Sequence, residues 1–289
     1  MMNSGREIQI KLPHIELAAL EYGNKQGEPV LALHGWLDNA MTYARLAPKL
    51  QDLHIIAFDF AGHGFSPHKP AGSIYQIWEA VFDTLAVANA LGWQRFTLMG
   101  HSLGAIVATM AAAIRPEAVK QLLLIDGLVI YSKLPSEFPA QMQATLYGLV
   151  KSLYKKEQKV YATLDEMIQR RQQGLVPINY EAASYLMKRG AKAVSNGYVW
   201  RTDSRLMIQP PIPLTEDAAW SYPASVKCPI CLVLGKDGLW FKDKAFVQRL
   251  ATIACQTIVL EGGHHLHLDT ELSAQQVANT FQRFLKDSH

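Results

Sequence analysis

The sequence has little cysteine, little net charge and no long apolar run. Three cysteines among 289 residues are too few for a disulfide framework, and an odd number is typical of a reducing compartment. Lys and Arg total 28 against 25 Asp and Glu, a formal net charge of +3 that disfavours a nucleic-acid-binding protein. The longest apolar run, residues 104–114, is too short for a bilayer, which needs about 20 residues. Because the first residues also lack the apolar stretch of a secretory signal, we expect a cytoplasmic protein without stable membrane association.

Motifs for nucleotide cofactors and metals are also missing. No G-x-x-x-x-G-K-[ST] loop is present, and no G-x-G-x-x-G sequence follows the first buried strand. His264, His265 and His267 lie close together, but their spacing is not that of helical zinc-binding motifs. No carboxylate pattern supports a metal there either. We therefore expect no cofactor and no metal.

Short apolar segments alternate with helical patterns in the first part of the chain. The helical patterns begin near residues 40, 74 and 103. The predicted strands are an antiparallel pair at 7–10 and 15–22, then buried strands at 30–33, 54–58, 96–99 and 122–125. Such alternation is typical of a mostly parallel sheet covered by helices.

The alternation stops between residues 132 and 222, where only helical segments such as 141–154 and 163–172 are apparent. Strand patterns resume at 230–234 and 257–260, each followed by an amphipathic helix. The sequence therefore predicts an α/β core, residues 1–131 and 223–289, interrupted by a helical insertion at 132–222, here called the cap.

The strongest motif is Gly100-His101-Ser102-Leu103-Gly104, which matches G-x-S-x-G. It falls between a predicted strand and a predicted helix, where a tight turn exposes the serine hydroxyl and the helix N-terminus favours negative charge. These features make Ser102 the candidate nucleophile. A serine that only caps the helix is the alternative.

A nucleophilic serine needs two N–H donors for the oxyanion of the tetrahedral intermediate. The backbone amide of Leu103, the residue after the nucleophile, is one candidate. The sequence His34-Gly35-Trp36 follows a buried strand, and the amide of Trp36 is the other candidate. A simple strand-to-loop turn is the alternative explanation of this segment.

The candidate base follows the last predicted strand. Gly262-Gly263 precedes His264, which places a histidine on a flexible loop at the same sheet edge as the serine. His264 is the first choice, His265 the second, and His267 is expected to support the loop.

These motifs together resemble the α/β-hydrolase superfamily over nearly the whole chain. Within it, HGWLDNA, TLDEMIQRR, YVWRTDSRL, LTED and GGHHLHLD resemble the serine hydrolase-like group. The resemblance implies a mostly parallel eight-stranded sheet flanked by helices, with a helical cap and a Ser-His-Asp triad.

The triad acid has two candidates. The commonest pattern of the superfamily places an aspartate three positions after a glycine at the end of a late strand, but after Gly235 that place holds Gly238, and Asp237 falls one residue short. Some superfamily members take the acid from an earlier strand, where this chain has Asp126. We favour Asp126 and keep Asp237 as the alternative.

The expected function is a carboxylesterase-like serine hydrolase acting on small to medium apolar esters, as a monomer or homodimer. An apolar face on the first cap helix is expected to cover the core and to roof the pocket over Ser102. Its residues are Met142, Leu146, Tyr147, Leu149, Val150, Leu153 and Tyr154. Cleavage of carbon–carbon bonds or thioesters by the same triad, and a non-catalytic binding protein on this scaffold, remain alternatives.

Overall fold

The computed structural model describes residues 5–154 and 158–287, in which ten strands form a large sheet and a small hairpin. The strands are β1 (Arg6–Lys11), β2 (Glu16–Gly23), β3 (Glu28–Leu33), β4 (Leu53–Phe58), β5 (Phe96–His101), β6 (Val119–Ile125), β7 (Ala191–Val194), β8 (Gly197–Trp200), β9 (Ile230–Asp237) and β10 (Gln256–Gly263). The large sheet has eight strands in the order β1-β2-β4-β3-β5-β6-β9-β10. The pairs β1–β2 and β2–β4 are antiparallel and all later pairs are parallel, which confirms the predicted α/β-hydrolase architecture.

Helices cover both faces of this sheet. They are α1 (Ile77–Ala90), α2 (Leu103–Ile114), α3 (Phe138–Leu153), α4 (Leu164–Gln172), α5 (Tyr180–Gly190), α6 (Glu216–Ser225), α7 (Lys244–Leu250), α8 (Leu266–Asp269) and α9 (Glu271–Asp287). Successive strand residues enter opposite cores: Leu31 and Leu33 pack on one side of β3, and Val30 and Ala32 on the other. Burial on both faces explains why the central strands read as continuous apolar runs.

The prediction of a helix that begins near residue 40 is wrong. Two short 3₁₀ helices, Ala40–Tyr43 and Ala47–Lys49, occupy this segment. Pro48 has no N–H to continue a helical ladder from the first turn into the second.

The cap is not wholly helical. The strands β7 and β8 form an antiparallel hairpin within it, joined at Ser195-Asn196 and followed by Gly197 at φ +143°. Asn-Gly between alternating residues is a hairpin signal that the helical interpretation of 132–222 missed. Among the described residues, no strand between β6 and β9 joins the large sheet.

Most of the apolar face of α3 is not covered by the core, contrary to expectation. Leu146, Tyr147 and Val150 are exposed, as are Leu153 and Tyr154 beyond them. The face turned toward the protein is polar instead, because Gln141 and Thr145 bond to the carbonyl oxygens of residues 209–210. Periodicity located the apolar stripe, but it could not reveal which side of the helix would be covered. Within residues 5–154 and 158–287, no helix combines the length and apolarity needed to span a membrane.

Candidate active site

Ser102 lies on a strained turn between β5 and α2. Its backbone has φ +52°, a left-handed value that is uncommon for a residue with a side chain. The turn fits only because Gly104 lacks a side chain: an added Cβ would lie 1.9 Å from the carbonyl oxygen of Leu33. The amide of Ser102 donates to the carbonyl of Ile125 on the neighbouring strand (3.0 Å), which fixes the serine beside the end of β6. This is the geometry expected of an exposed nucleophile.

His264 and Asp126 meet at the same edge of the sheet. His264 Nδ1 and Asp126 Oδ2 are 2.5 Å apart, and both side chains are buried. The carboxylate also accepts from the amides of Gly235 (3.2 Å) and Leu239 (3.0 Å). Three donors therefore hold Asp126 in one orientation, although its own φ is +43°.

Gly238 explains how the acid fits. A Cβ at this position would lie 2.4 Å from Asp126 Oδ1, so the carboxylate from β6 occupies the space that a side chain at 238 would need. The commonest superfamily pattern places its aspartate at the position of Gly238. In this chain a glycine there leaves room for the carboxylate of Asp126.

Asp237 is not brought to His264. Its exposed carboxylate pairs with Lys242 Nζ at 2.7 Å. That hydrogen bond, with the positive charge of Lys242, lowers the pKa of Asp237 below its ordinary value. The alternative that Asp237 orients the histidine is therefore not supported by its position.

The two candidate oxyanion donors follow β3 and β5, neighbouring parallel strands whose C-terminal ends lie at the same edge of the sheet. Leu103 is the first residue of α2, where an amide has no acceptor within the helix. In the described part of the chain, no group accepts from the amide of Trp36, whereas its indole Nε1 donates to the carbonyl of Leu206 in the cap (3.0 Å). Both amides thus remain available at this edge.

His63 supports the loop that carries Trp36. Its Nε2 accepts from the amide of Leu37, the next residue, at 3.2 Å. Burial is the main reason that the pKa of His63 falls to about 3, so the ring is neutral and can accept. The sequence analysis did not identify this supporting role of His63.

The Ser102 hydroxyl makes no hydrogen bond to His264 among the described residues. Such contacts are often long before a substrate is bound and shorten in the reactive complex. Because Asp126 engages Nδ1, the second ring nitrogen, Nε2, is the one left to serve as base.

A second buried cluster lies behind His264. Asp38, His101 and His265 each place one ligand-type atom within 4.8 Å of the others, a spacing that a metal ion would accept. However, the guanidinium of Arg171 lies 2.8 Å from Asp38 Oδ1 and 3.3 Å from His265 Nε2. A cation already neutralises this carboxylate, so the residues present do not fit a metal. Sequence reasoning missed Asp38 and Arg171, although both fall in the motifs HGWLDNA and TLDEMIQRR.

Comparison with known proteins agrees with this architecture. Residues 28–205 match the α/β hydrolase fold family. A serine hydrolase-like protein of Danio rerio is 31% identical over 97% of this chain and 89% of its own length. The crystal structure of a hypothetical protein from Pseudomonas aeruginosa PAO1 has 45% identity and a TM-score of 0.94, covering 97% of this chain and 99% of that one. The thioesterase domain from the curacin biosynthetic pathway shares the fold, with 22% identity and a TM-score of 0.82 over 97% of this chain and 100% of that one.

Proposed function

We propose that this chain, which belongs to the α/β hydrolase fold family and to its serine hydrolase-like group, cleaves small to medium apolar carboxylic esters through an acyl-enzyme on Ser102. The observation that carries the proposal is the hydrogen bond between His264 Nδ1 and Asp126 Oδ2, made at the edge where the strained serine is presented. A carboxylate at Nδ1 places the ring proton there and leaves Nε2 free to act as general base.

The reaction follows from these positions. Ser102 Oγ attacks the ester carbonyl while His264 Nε2 accepts the hydroxyl proton. The amides of Leu103 and Trp36 hold the oxyanion, and Asp126 stabilises the imidazolium. The imidazolium then protonates the leaving alcohol as the carbon–oxygen bond breaks. Water then attacks the acyl-enzyme while His264 Nε2 accepts its proton, and the imidazolium returns that proton to Ser102 Oγ as the acyl–oxygen bond breaks, which releases the acid.

The side chains at this edge favour an apolar substrate. Leu103, next to Ser102, is half-buried, and Leu239, whose amide bonds to Asp126, is exposed, as is Trp36 in the loop after β3. Burying substrate methylene groups against them would stabilise the complex by about 0.8 kcal/mol for each CH₂. Serine as the nucleophile also disfavours dehalogenase and epoxide-hydrolase chemistry, which use aspartate at this position.

Labelling with a fluorophosphonate tests the nucleophile. The wild-type protein should be labelled, and Ser102→Ala should lose labelling and at least about 10⁴-fold in kcat on p-nitrophenyl acetate. A folded but unlabelled wild-type protein without turnover would point to a non-catalytic binding protein.

Esters and thioesters of graded chain length test the substrate class. We expect kcat/KM to rise as the acyl chain grows from two to about six carbons and then to level off, since each buried CH₂ adds binding energy only while apolar surface remains. A steady rise into long-chain emulsified lipid would indicate an open lipase-like groove. A preference for the thioester over its matched ester would indicate a thioesterase instead.

A further inference from the structure

Asp38 is a buried carboxylate at the meeting point of three segments. It lies in the loop that carries Trp36, and only 1% of its surface is exposed. Its Oδ2 is 3.0 Å from Nε2 of His265, and its Oδ1 is 2.8 Å from the guanidinium of Arg171 in α4. One side chain thus connects the oxyanion loop, the histidine loop and the cap.

His101 holds the same region from the other side. Its Nε2 donates to the backbone carbonyl of His264 at 2.9 Å, and its ring lies 4.6 Å from the ring of His264 and 4.7 Å from that of His265. Its Nδ1 has no hydrogen-bond partner among the described residues and lies 3.7 Å from Asp38 Oδ2. The residue before the nucleophile therefore fixes the backbone of the candidate base.

The charge on Asp38 matters because the carboxylate is buried. Burial acts to raise the pKa of its carboxyl, but His265 and Arg171 outweigh burial and hold that pKa well below the ordinary value. For the His101 ring burial has the opposite effect: it holds the pKa well below the usual range, so this ring is neutral. Arg171 is then the permanent cation beside the carboxylate. Removing one member of a buried ion pair is strongly unfavourable, since the other is left without compensation.

We propose, resting on the hydrolase function above, that Asp38 is a positioning residue for His264 and that Arg171 makes this positioning depend on the cap. The carboxylate fixes the ring of His265, and His265 fixes the turn that aims His264 at Ser102. When the Arg171 contact is lost, the turn loosens while Asp126 and the nucleophile remain in place. Misplacement of a catalytic group by about 1 Å costs on the order of 100-fold in rate.

The test uses Asp38→Asn and Arg171→Met, with kcat expressed per serine that a fluorophosphonate labels at completion. We expect each variant to lose about 10- to 100-fold in kcat, with KM changed less than about 3-fold. Both substitutions disrupt the same contact, the ion pair between Asp38 and Arg171. The double variant should therefore lose no more than about 3-fold in kcat beyond either single variant. Arg171→Lys keeps the charge and should recover part of the loss.

Arg189→Met is the matched control. Arg189 of α5 forms another buried ion pair between cap and core, with Asp59 at 2.7 Å, and in the part of the chain that the structure describes it makes no hydrogen bond or ion pair to the histidine loop. We expect this variant to lower the melting temperature while kcat stays within about 3-fold of wild type. An equal fall in kcat for Arg189→Met and Arg171→Met would overturn the proposal, because general loosening of the cap would then suffice.

The remaining outcomes separate the two proposals. A labelled, active wild type with Asp38→Asn and Arg171→Met within about 3-fold in kcat would overturn the positioning role alone. An unlabelled and inactive wild type would overturn the hydrolase function and the positioning role together. If Asp38→Asn does not fold, Arg171→Met and Arg171→Lys decide, since both leave the carboxylate unchanged.

Discussion

At the scale of single residues, the candidate acid Asp126 occupies space that is free because Gly238 has no side chain. The ends of β6 and β9 are neighbours in the sheet, so Asp126 and Asp237 were both reasonable acids from the sequence. The sequence could not show that the space left by Gly238 is filled by Asp126, because that contact joins residues far apart in the chain. The elbow at Ser102 was easier to predict, because its determinants are local.

Exchange of each aspartate for asparagine separates the two acids. Asp126→Asn should lower kcat by about 10³- to 10⁴-fold, because the amide favours the wrong imidazole tautomer. Asp237→Asn should stay within about 2-fold, since that exposed carboxylate pairs with Lys242 and is not brought to His264. Steady-state kinetics on p-nitrophenyl acetate check both, and equal losses would contradict the assignment of Asp126.

Gly238→Ala tests the shared space. The added methyl would lie 2.4 Å from Asp126 Oδ1, so the carboxylate must shift away from His264. We expect kcat to fall by about 10- to 100-fold. Gly148→Ala in α3 is the control, because its Cβ would lie 3.5 Å from the side chain of Ile208, an ordinary contact, and activity should be unchanged. Wild-type kcat in Gly238→Ala would show that the carboxylate has room to move.

At the scale of elements, prediction succeeded where burial alone decides the pattern. The central strands are covered on both faces, so their apolar runs are unambiguous. The cap was harder, because its elements are short and partly exposed. Its hairpin depends on Asn196-Gly197, and the orientation of α3 depends on polar contacts that periodicity does not report.

Two substitutions in α3 test its orientation. Thr145→Val removes a buried hydroxyl that lies 2.8 Å from the carbonyl of Gln209, and it should lower the free energy of unfolding by about 1 kcal/mol. Leu146→Gln, on the exposed face, should change it by less than about 0.5 kcal/mol. Urea denaturation measures both. A larger loss for Leu146→Gln would mean that another surface covers this face.

At the scale of the whole molecule, buried histidines shape the response to acid. Burial lowers the pKa of His34 to about 4 and that of His63 to about 3. Their neutral rings accept hydrogen bonds from the amides of Phe60 and Leu37. The pKa values of His101, His265 and His267 are also lowered, chiefly by burial.

These shifts predict loss of stability on mild acidification. Below the ordinary histidine pKa of about 6.5 the unfolded chain binds protons that the folded chain excludes until pH about 4 for His34 and about 3 for His63. As the pH is lowered from about 6.5 toward these values, the free energy of unfolding should therefore decrease. The decrease is up to about 1.4 kcal/mol per pH unit for each such histidine. Urea denaturation between pH 7 and pH 5 measures the slope.

His63→Gln provides the comparison for that slope. The amide oxygen of glutamine can still accept, but the side chain does not titrate, so the pH dependence should be shallower than in wild type. An unchanged slope would contradict the assignment of a neutral, buried His63.

The position of the acid on β6 has a consequence for how this protein can diversify. The candidate nucleophile and acid lie in one uninterrupted stretch, residues 96–126, that ends before the cap begins. An acid after β9 would instead be separated from the serine by the whole insertion. In this chain the cap can therefore be exchanged, by evolution or by design, for one of another length or shape without changing the segment that holds Ser102 and Asp126 together. A replacement cap would have to keep the contact of Arg171 with Asp38 and that of Leu206 with Trp36, and it would have to leave His264 free to return to the sheet edge.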